Sequence, residues 1–370
     1  MKRITIIFFA LIVGFCFVMS AFAADKASIK KQEPTIKPDG TERSELEKRG
    51  IEYNTENFLE AIRDNNTDVV ELFIKAGIDV NAKTYWEKEP ALIIAIRNGN
   101  IRIVKAIMDA GANLDITDGY GTTPLVAASG EKGMPEVVND LIAGGANVKK
   151  DGPNAMVNAA RWGQVEIVKA LLGAGVNTKG EKAVKALCWA AVGGHTEVVK
   201  ALLEKGAQVN AKDYDGYSPL ARAAESNRKE TALYLIQKGA DLNIRDKYGM
   251  TPLMRAVQHG QTDMVKLLIE KGADVNAADK GGMTSVIWSA KENQTDAIKL
   301  LVGAKADVNA ADKAGMTGVI WAVEKDHPDL LKVLVDDKAN VNAADKEGRT
   351  ALSLAKQSKN QKLVDILEGK

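Results

Sequence analysis

The sequence predicts an all-α protein, a solenoid of about ten stacked helix-turn-helix units with projecting loops. The first observation behind this prediction is a repeated word. The stretch NAADKGGMTSVIW at residue 276 returns as NAADKAGMTGVIW at 309 and NAADKEGRTALSL at 342, each time after 33 residues. The second observation is that the copies carry the start and stop signals of two short helices. A period of this length indicates supersecondary units stacked side by side.

The same interval extends along most of the chain. One marker, the apolar residue that follows TP, SP or an equivalent dipeptide, recurs in steps of 31 to 34 residues. The markers are Phe58, Leu92, Leu125, Met156, Leu187, Leu220, Leu253, Val286, Val319 and Leu352. A helix pair of this size cannot bury its own apolar face, so stacking against neighbouring copies supplies the shared core.

The seventh unit shows why each unit should contain two helices. Thr251 provides a capping hydroxyl, and Pro252 occupies the first turn, where its missing N–H has no helical partner to lose. Gly260 should end this first helix. A second helix follows, with apolar residues on one face, and Gly272 stands where the helix end requires a left-handed backbone.

These words resemble the ankyrin repeat from Tyr53 to the end of the chain. The matching words are DGYGTTPL at 118, DYDGYSPL at 213, DKYGMTPL at 246 and GADVNAAD at 272. The histidine that usually follows TPL in the family is absent from every unit. The first unit lacks the DxxGxTP opening and the last lacks its loop, so both are predicted end caps. The resemblance implies a non-catalytic module that binds a protein partner with its loops and concave helix face.

Cys188 stands in the column of that absent histidine, where the other units carry mostly apolar residues. We therefore predict that it is a buried packing residue and not a reactive thiol. The only other cysteine, Cys16, lies in the N-terminal apolar run, so no internal disulfide is expected.

The N-terminal residues 1–23 have the layout of a secretory signal peptide. Lys2 and Arg3 precede an apolar run, and Ala21 and Ala23 form a small-x-small cleavage site. The alternative is an uncleaved membrane anchor, because the run is almost long enough to span a bilayer. Residues 24–52 are polar and are predicted to be a flexible linker before the repeat domain at 53–370. We expect an exported protein in the periplasm, with secretion or membrane anchoring as alternatives.

Charge and composition bear on the class of function. Without Lys2 and Arg3, the 50 basic residues fall to 48, against 49 acidic ones, so no nucleic-acid partner is expected. The sequence has no metal-ligand cluster, phosphate-binding loop or nucleophile with a candidate base. We therefore expect a monomeric non-enzyme with no cofactor or metal. It should have no membrane contact after signal cleavage.

Partner binding is predicted on one stripe of the first helices. Four of the five tryptophans and two arginines share this face by helical spacing. The stripe consists of Trp162, Trp189, Arg222, Arg255, Trp288 and Trp321. Tryptophan and arginine dominate interface energetics, and their alternation favours a partner groove. In the alternative, the tryptophans plug crevices between neighbouring first helices.

The repeat pattern is irregular at two places along the chain. The loops around NVKKDGPNA and NTKGEKAVKA, between Lys149 and Lys185, are short and lack the DxxGxTP word, so the row of projecting loops should contain a notch. Lys305 and Lys338 replace the terminating glycine and should have a strained left-handed backbone. The expected function is a protein-binding scaffold of the bacterial envelope; the alternative is a structural spacer or a chaperone-like protective protein.

Overall fold

The computed structural model describes residues 40–130 and 132–369. The chain divides into two compact parts, Met1–Asn113 and Leu114–Lys370, called the N-terminal and the C-terminal part. The described residues contain 21 helices and no strand beyond isolated bridges. The predicted all-α class is confirmed. The predicted signal peptide lies outside the described residues.

The N-terminal part contains five described helices. They are α1 (Thr41–Lys48), α2 (Thr55–Arg63), α3 (Thr67–Lys75), α4 (Ala91–Asn98) and α5 (Ile101–Asp109). Helices α2 and α3 form the first unit, and α4 and α5 form the second. The pairs pack in register, α2 on α4 and α3 on α5, around fully buried Phe58 and Phe73.

Helix α1 lies within the segment that the sequence predicts as a flexible linker. It packs on α3, and Leu46 is fully buried. The Arg43 guanidinium lies 4.1 Å from the centre of the Tyr53 ring, and its Nη2 donates to the carbonyl of Ala76. Buried Leu46 and the contacts of Arg43 therefore hold this short helix against the first unit. The rest of the linker, residues 24–39, lies outside the described residues.

The described residues of the C-terminal part contain sixteen helices that alternate between first and second members of a unit. They are α6 (Pro124–Ala128), α7 (Pro135–Ala143), α8 (Val148–Arg161), α9 (Val165–Gly173), α10 (Glu181–Gly193), α11 (Thr196–Glu204), α12 (Pro219–Glu225), α13 (Lys229–Gln237), α14 (Pro252–Gln258), α15 (Thr262–Glu270), α16 (Ser285–Lys291), α17 (Thr295–Gly303), α18 (Gly318–Glu324), α19 (Pro328–Asp336), α20 (Ala351–Gln357) and α21 (Gln361–Glu368). Each first helix packs on the next first helix and each second helix on the next second helix. The part therefore has two helical layers with an apolar core between them.

The helix ends have the chemistry that the sequence predicts. The Thr251 hydroxyl accepts the N–H of Met254 at 3.3 Å and caps α14. Gly260 and Gly272 follow their helices with φ of +67° and +91°, values that glycine adopts without a steric penalty. Lys305 has φ of +61°, and Lys338 has +64°. Both lysines are therefore left-handed, as predicted.

Between units, the chain forms a five-residue loop that we call a finger, running from an aspartate to the fourth residue after it. In the seventh unit, Oδ1 of Asp246 accepts the N–H groups of Tyr248 and Met250 at 2.8 and 3.0 Å. Such bonds hold a tight turn without neighbouring strands. The fingers of the C-terminal part are 118–122, 213–217, 246–250, 279–283, 312–316 and 345–349.

The row of fingers is interrupted between 122 and 213, where the sequence predicts a notch. In place of fingers, the first helices of the fourth and fifth units are longer, with 14 residues in α8 and 13 in α10. Gly152 lies inside α8, and a Cβ there would come within 2.5 Å of Cγ2 of Val176. This glycine therefore permits close packing and does not mark a loop.

Candidate protein-binding surface

The six stripe residues all belong to the first-helix layer of the C-terminal part, but their exposure differs. Trp162 follows the end of α8 and is 42% exposed, whereas Arg255 in α14 is only 5% exposed. Trp189, Arg222, Trp288 and Trp321 are half-buried. The stripe is therefore a mixture of accessible and enclosed side chains.

Four stripe residues donate a hydrogen bond to the aspartate that opens the finger of their own unit, nine positions earlier. The bonds run from Arg222 Nη2 to Asp213 Oδ2 (2.7 Å), from Arg255 Nε to Asp246 Oδ2 (2.8 Å), from Trp288 Nε1 to Asp279 Oδ2 (3.0 Å) and from Trp321 Nε1 to Asp312 Oδ2 (3.0 Å). In each case the other carboxylate oxygen holds the finger backbone. The aspartate thus locks the finger onto its first helix.

This lock changes the interpretation of the alternation between tryptophan and arginine. Arginine and tryptophan both supply an N–H donor to the finger aspartate. Either residue type can therefore occupy this position of a unit for a structural reason. Arg255 is buried and forms an ion pair with Asp246, which leaves it almost no surface for a partner. The alternation is therefore no argument for an interface. The constant spacing of nine residues was the sequence signal for the lock.

Arg222 has a more open setting than Arg255. It also lies 3.4 Å from Oδ2 of Asp215, and its guanidinium stacks 3.8 Å from the Tyr217 ring centre. Burial alone would lower the pKa of Arg222, but the hydrogen bond and negative charge of Asp213 outweigh burial and raise it. The side chain is therefore a fixed positive charge within its unit.

The tryptophans form two groups, each organised by a cation. Arg161 lies 4.7 Å from the ring centre of Trp189 and 5.4 Å from that of Trp162. In this first group, Trp162 keeps an exposed ring. A cation over an indole face is attracted by the ring and stabilises the fold.

The second group, Trp288 and Trp321, is packed more closely against the rest of the protein than the first group. Lys291 lies 4.7 Å from the ring centre of Trp288 and 5.3 Å from that of Trp321. Trp288 also packs against the buried cluster that includes Met250 and Met254 of the preceding unit. This contact is the crevice filling that the alternative interpretation of the stripe expects.

The fingers carry exposed aromatic side chains that the sequence analysis did not single out. In the C-terminal part, Tyr214 is 94% exposed, Tyr120 83% and Tyr248 53%. In the N-terminal part, Tyr85 and Trp86 are also exposed and meet edge to face with ring centres 4.9 Å apart. The signal was present in the words DGYG, DYDG and DKYG, whose glycines and aspartates drew attention to turn geometry alone.

A pocket of about 540 Å³ opens beside the finger 213–217. Its walls are Lys185, Trp189 and Val192 of α10 on one side and Tyr214 and Asp215 of the finger on the other. It forms because the fifth unit has no finger to cover the next one.

Cys188 borders this pocket and is buried, as predicted. Its Sγ donates to the carbonyl of Tyr217 at 3.8 Å. Burial raises the pKa of the Cys188 thiol to about 12, and the negative charge of Asp213 adds to the increase. The thiol is therefore protonated at neutral pH and is a poor nucleophile.

Within residues 40–130 and 132–369, no group of three or more His, Cys, Asp or Glu side chains has the arrangement of a metal site. In the same ranges, none of the helices has both the length and the apolar character needed to cross a bilayer.

A family model described as ankyrin repeats in three copies matches the chain in overlapping segments. The matched residues are 58–151, 126–213, 156–246, 207–279, 239–312 and 286–369. A search of curated proteins gave no match. The matches follow the helix pairs of both parts, from the first unit to the tenth. The chain therefore belongs to the ankyrin repeat family, whose members are generally protein–protein interaction modules and typically non-catalytic.

Proposed function

We propose that this protein is a non-catalytic scaffold of the bacterial envelope that binds a protein partner through the fingers and first helices of its C-terminal part. The observation that carries the proposal is the exposure of aromatic side chains on the fingers, led by Tyr214. Exposed aromatic residues provide the anchors of protein interfaces.

The finger fold does not require these aromatics. The position of Tyr248 is taken by Gly281 in the eighth unit and by Ala314 in the ninth, and both fingers keep the same aspartate bonds. Tyr214 is 94% exposed, so its ring contributes little packing to its own unit. Its presence is therefore better explained by contact with another molecule.

We propose export on the basis of the N-terminal sequence pattern alone. The basic start, the apolar run and the Ala21-Phe22-Ala23 site support cleavage by a signal peptidase. A scaffold released in this way acts in the periplasm.

A structural spacer or chaperone-like protective protein is the second candidate. The observation that favours it is the finger lock, because Arg255 and Trp288 satisfy their donors within the chain. A spacer needs such rigidity without any specific partner.

Site-specific photo-cross-linking in the native host tests the two candidates. A photoreactive amino acid replaces Tyr214 or Tyr248 on the fingers, and the matched control replaces exposed Lys266 on α15. We expect one common partner to be cross-linked from both finger positions and not from the control. No cross-linked protein would favour the spacer, and many proteins captured equally from all three positions would favour the protective role.

A further inference from the structure

The pocket beside α10 lies where the stack lacks a finger. From the eighth unit onward, each finger rests on the preceding one through a main-chain bond. The N–H of Lys280 donates to the carbonyl of Tyr248 at 3.0 Å, and the N–H of Lys313 donates to that of Gly281 at 2.9 Å. The finger 213–217 has no such support, because α10 runs as continuous helix from Glu181 to Gly193.

The N–H of Tyr214 is an open donor beside this gap. Tyr214 follows Asp213 as Lys280 follows Asp279, so its N–H occupies the equivalent place. Among the described residues no carbonyl accepts it. A main-chain donor at the rim of a pocket is a docking point for the carbonyl of an extended peptide, as at the edge of a sheet.

The opposite wall of the pocket is apolar. Trp189 is half-buried there, with Arg161 stacked 4.7 Å from its ring centre, and Val192 lies one turn further along α10. An apolar side chain pointing into the pocket would lie against the indole.

The charges that remain unpaired at the pocket are mainly positive. Asp213 and Asp215 are already bonded to Arg222. Lys247 also bonds Asp215, and that hydrogen bond is the largest cause that lowers the pKa of the Asp215 carboxyl. These two carboxylates are therefore neutralised by neighbours within the chain.

Lys185 and Lys212 are exposed at the pocket and have no ion-pair partner among the described residues. Glu181, one helical turn before Lys185, is the only carboxylate of the described pocket lining without such a partner. Two unpaired positive charges against one negative charge favour an acidic ligand group.

We propose that this pocket binds an extended segment of the protein partner in which an acidic side chain neighbours an apolar one. The segment takes the place of the missing finger. Its carbonyl accepts the N–H of Tyr214, its carboxylate lies at Lys185 and Lys212, and its apolar side chain packs on Trp189. The inference rests on the proposed protein-binding function and adds the chemistry of the segment that is bound.

The probe for this proposal is a phage-displayed library of random nine-residue peptides, selected on the chain that begins at Ala24. We expect enriched peptides to carry Asp or Glu beside a large apolar residue. The dissociation constant of a fluorescein-labelled enriched peptide is then measured by anisotropy. Failure to enrich any peptide, or enrichment of basic peptides, would overturn the proposal.

Variants that change the charge of the pocket test whether the peptide binds there. The double variant Lys185→Glu, Lys212→Glu should weaken binding by about tenfold or more, because it replaces two attractions with two repulsions. Lys266→Glu, on the second-helix layer, makes the same kind of change away from the pocket and should leave affinity unchanged. Equal effects of the pocket and control variants would contradict the proposal.

A second pair of variants isolates the main-chain donor. Gly216 donates its N–H to the carbonyl of Asp213 at 2.8 Å and closes a turn in which Tyr214 is the second residue, a position that favours proline. Tyr214→Ala removes only the ring, whereas Tyr214→Pro also removes the N–H. The proline variant should bind the peptide more weakly than the alanine variant, with unchanged circular dichroism.

Equal affinity of the proline and alanine variants would rule out the peptide carbonyl bond. Cross-linking from Tyr248 separates this inference from the proposed function. A partner captured at Tyr248 by a chain that selects no acidic peptide would leave the scaffold function standing and remove the pocket proposal.

Discussion

The indole Nε1 of Trp288 donates a hydrogen bond to Oδ2 of Asp279 at 3.0 Å, while Oδ1 of the same aspartate accepts the N–H groups of Gly281 and Met283. One carboxylate thus joins a first helix to its finger. Trp288 therefore stabilises the fold of its own unit, whether or not its exposed edge also contacts a partner.

The lock predicts a stability effect for a substitution that keeps an aromatic ring. Trp288→Phe should lower the free energy of unfolding by about 1 kcal/mol, because the Asp279 oxygen loses its donor. Trp162→Phe is the matched control, since no hydrogen bond of the Trp162 indole is formed with the described residues and its ring is exposed. Urea denaturation measures both. Equal stability of wild type and Trp288→Phe would show that the bond contributes nothing.

Arg255→Ala should be much more destabilising. The side chains of Arg255 and Asp246 are 7% and 1% exposed, so the substitution leaves a buried carboxylate without its counter-charge. Removing one partner of a buried pair costs about 3–5 kcal/mol. Differential scanning calorimetry should show a large fall in Tm, against almost no change for Lys266→Ala. A Tm near wild type would mean that water replaces the guanidinium, and that Arg255 is free to be a binding residue.

Lys305→Gly should stabilise the protein. Lys305 has φ of +61°, and a left-handed non-glycine residue costs about 1–2 kcal/mol, partly offset by the greater freedom of glycine in the unfolded chain. The side chain is exposed, so no packing is lost. The control is Lys299→Gly inside α17, which should destabilise by about 1 kcal/mol. A lower Tm for Lys305→Gly would contradict the strain.

Stability should fall at alkaline pH in a way that depends on Cys188. Burial raises the pKa of its thiol from 9.0 to about 12 in the folded state. The folded state therefore keeps the proton that the unfolded state releases, and the contribution to stability is full below pH 9 and lost as pH rises towards 12.

Urea denaturation at pH 8 and pH 10.5 measures this dependence. The free energy of unfolding should decrease more for wild type than for Cys188→Ala. Alanine fits this position, because the equivalent residue of the next unit is Ala221. Parallel decreases in the two proteins would show that the thiol is not shielded.

Export has a direct chemical readout. Mass spectrometry of protein purified from the native host should show a mature chain that begins at Ala24. An intact chain that begins at Met1 in the membrane fraction would move the protein to the anchored class.

The helix pairs could be predicted because their signals are local and repeated. Thr251, Gly260 and Gly272 each specify a cap or a turn with their own backbone. The helical segment around Gly152 and Pro153 was missed, since both residue types normally indicate a loop. Gly152 is accommodated in the helix because it packs closely against Val176, a contact that only the three-dimensional structure reveals.

The candidate site was less accessible to sequence reasoning than the fold. Tryptophan and arginine are enriched at interfaces, and the stripe was therefore assigned to a partner. The sequence does not show that Arg255 is buried or that its donor meets Asp246. The pocket exists because the fifth unit has no finger between α10 and the finger 213–217. Its volume depends on how these elements pack in three dimensions, which the sequence does not show.

The finger lock has a consequence for how such a chain can change in length. Each lock closes within nine residues of one unit. Some bonds between units end on main-chain groups, which every unit has, as when Oδ1 of Asn276 accepts the N–H of Asp307 at 2.8 Å. A duplicated unit therefore brings its own lock with it, and a deleted unit takes its lock away. The stack can grow or shrink in whole steps of 33 residues, as its three near-identical words suggest.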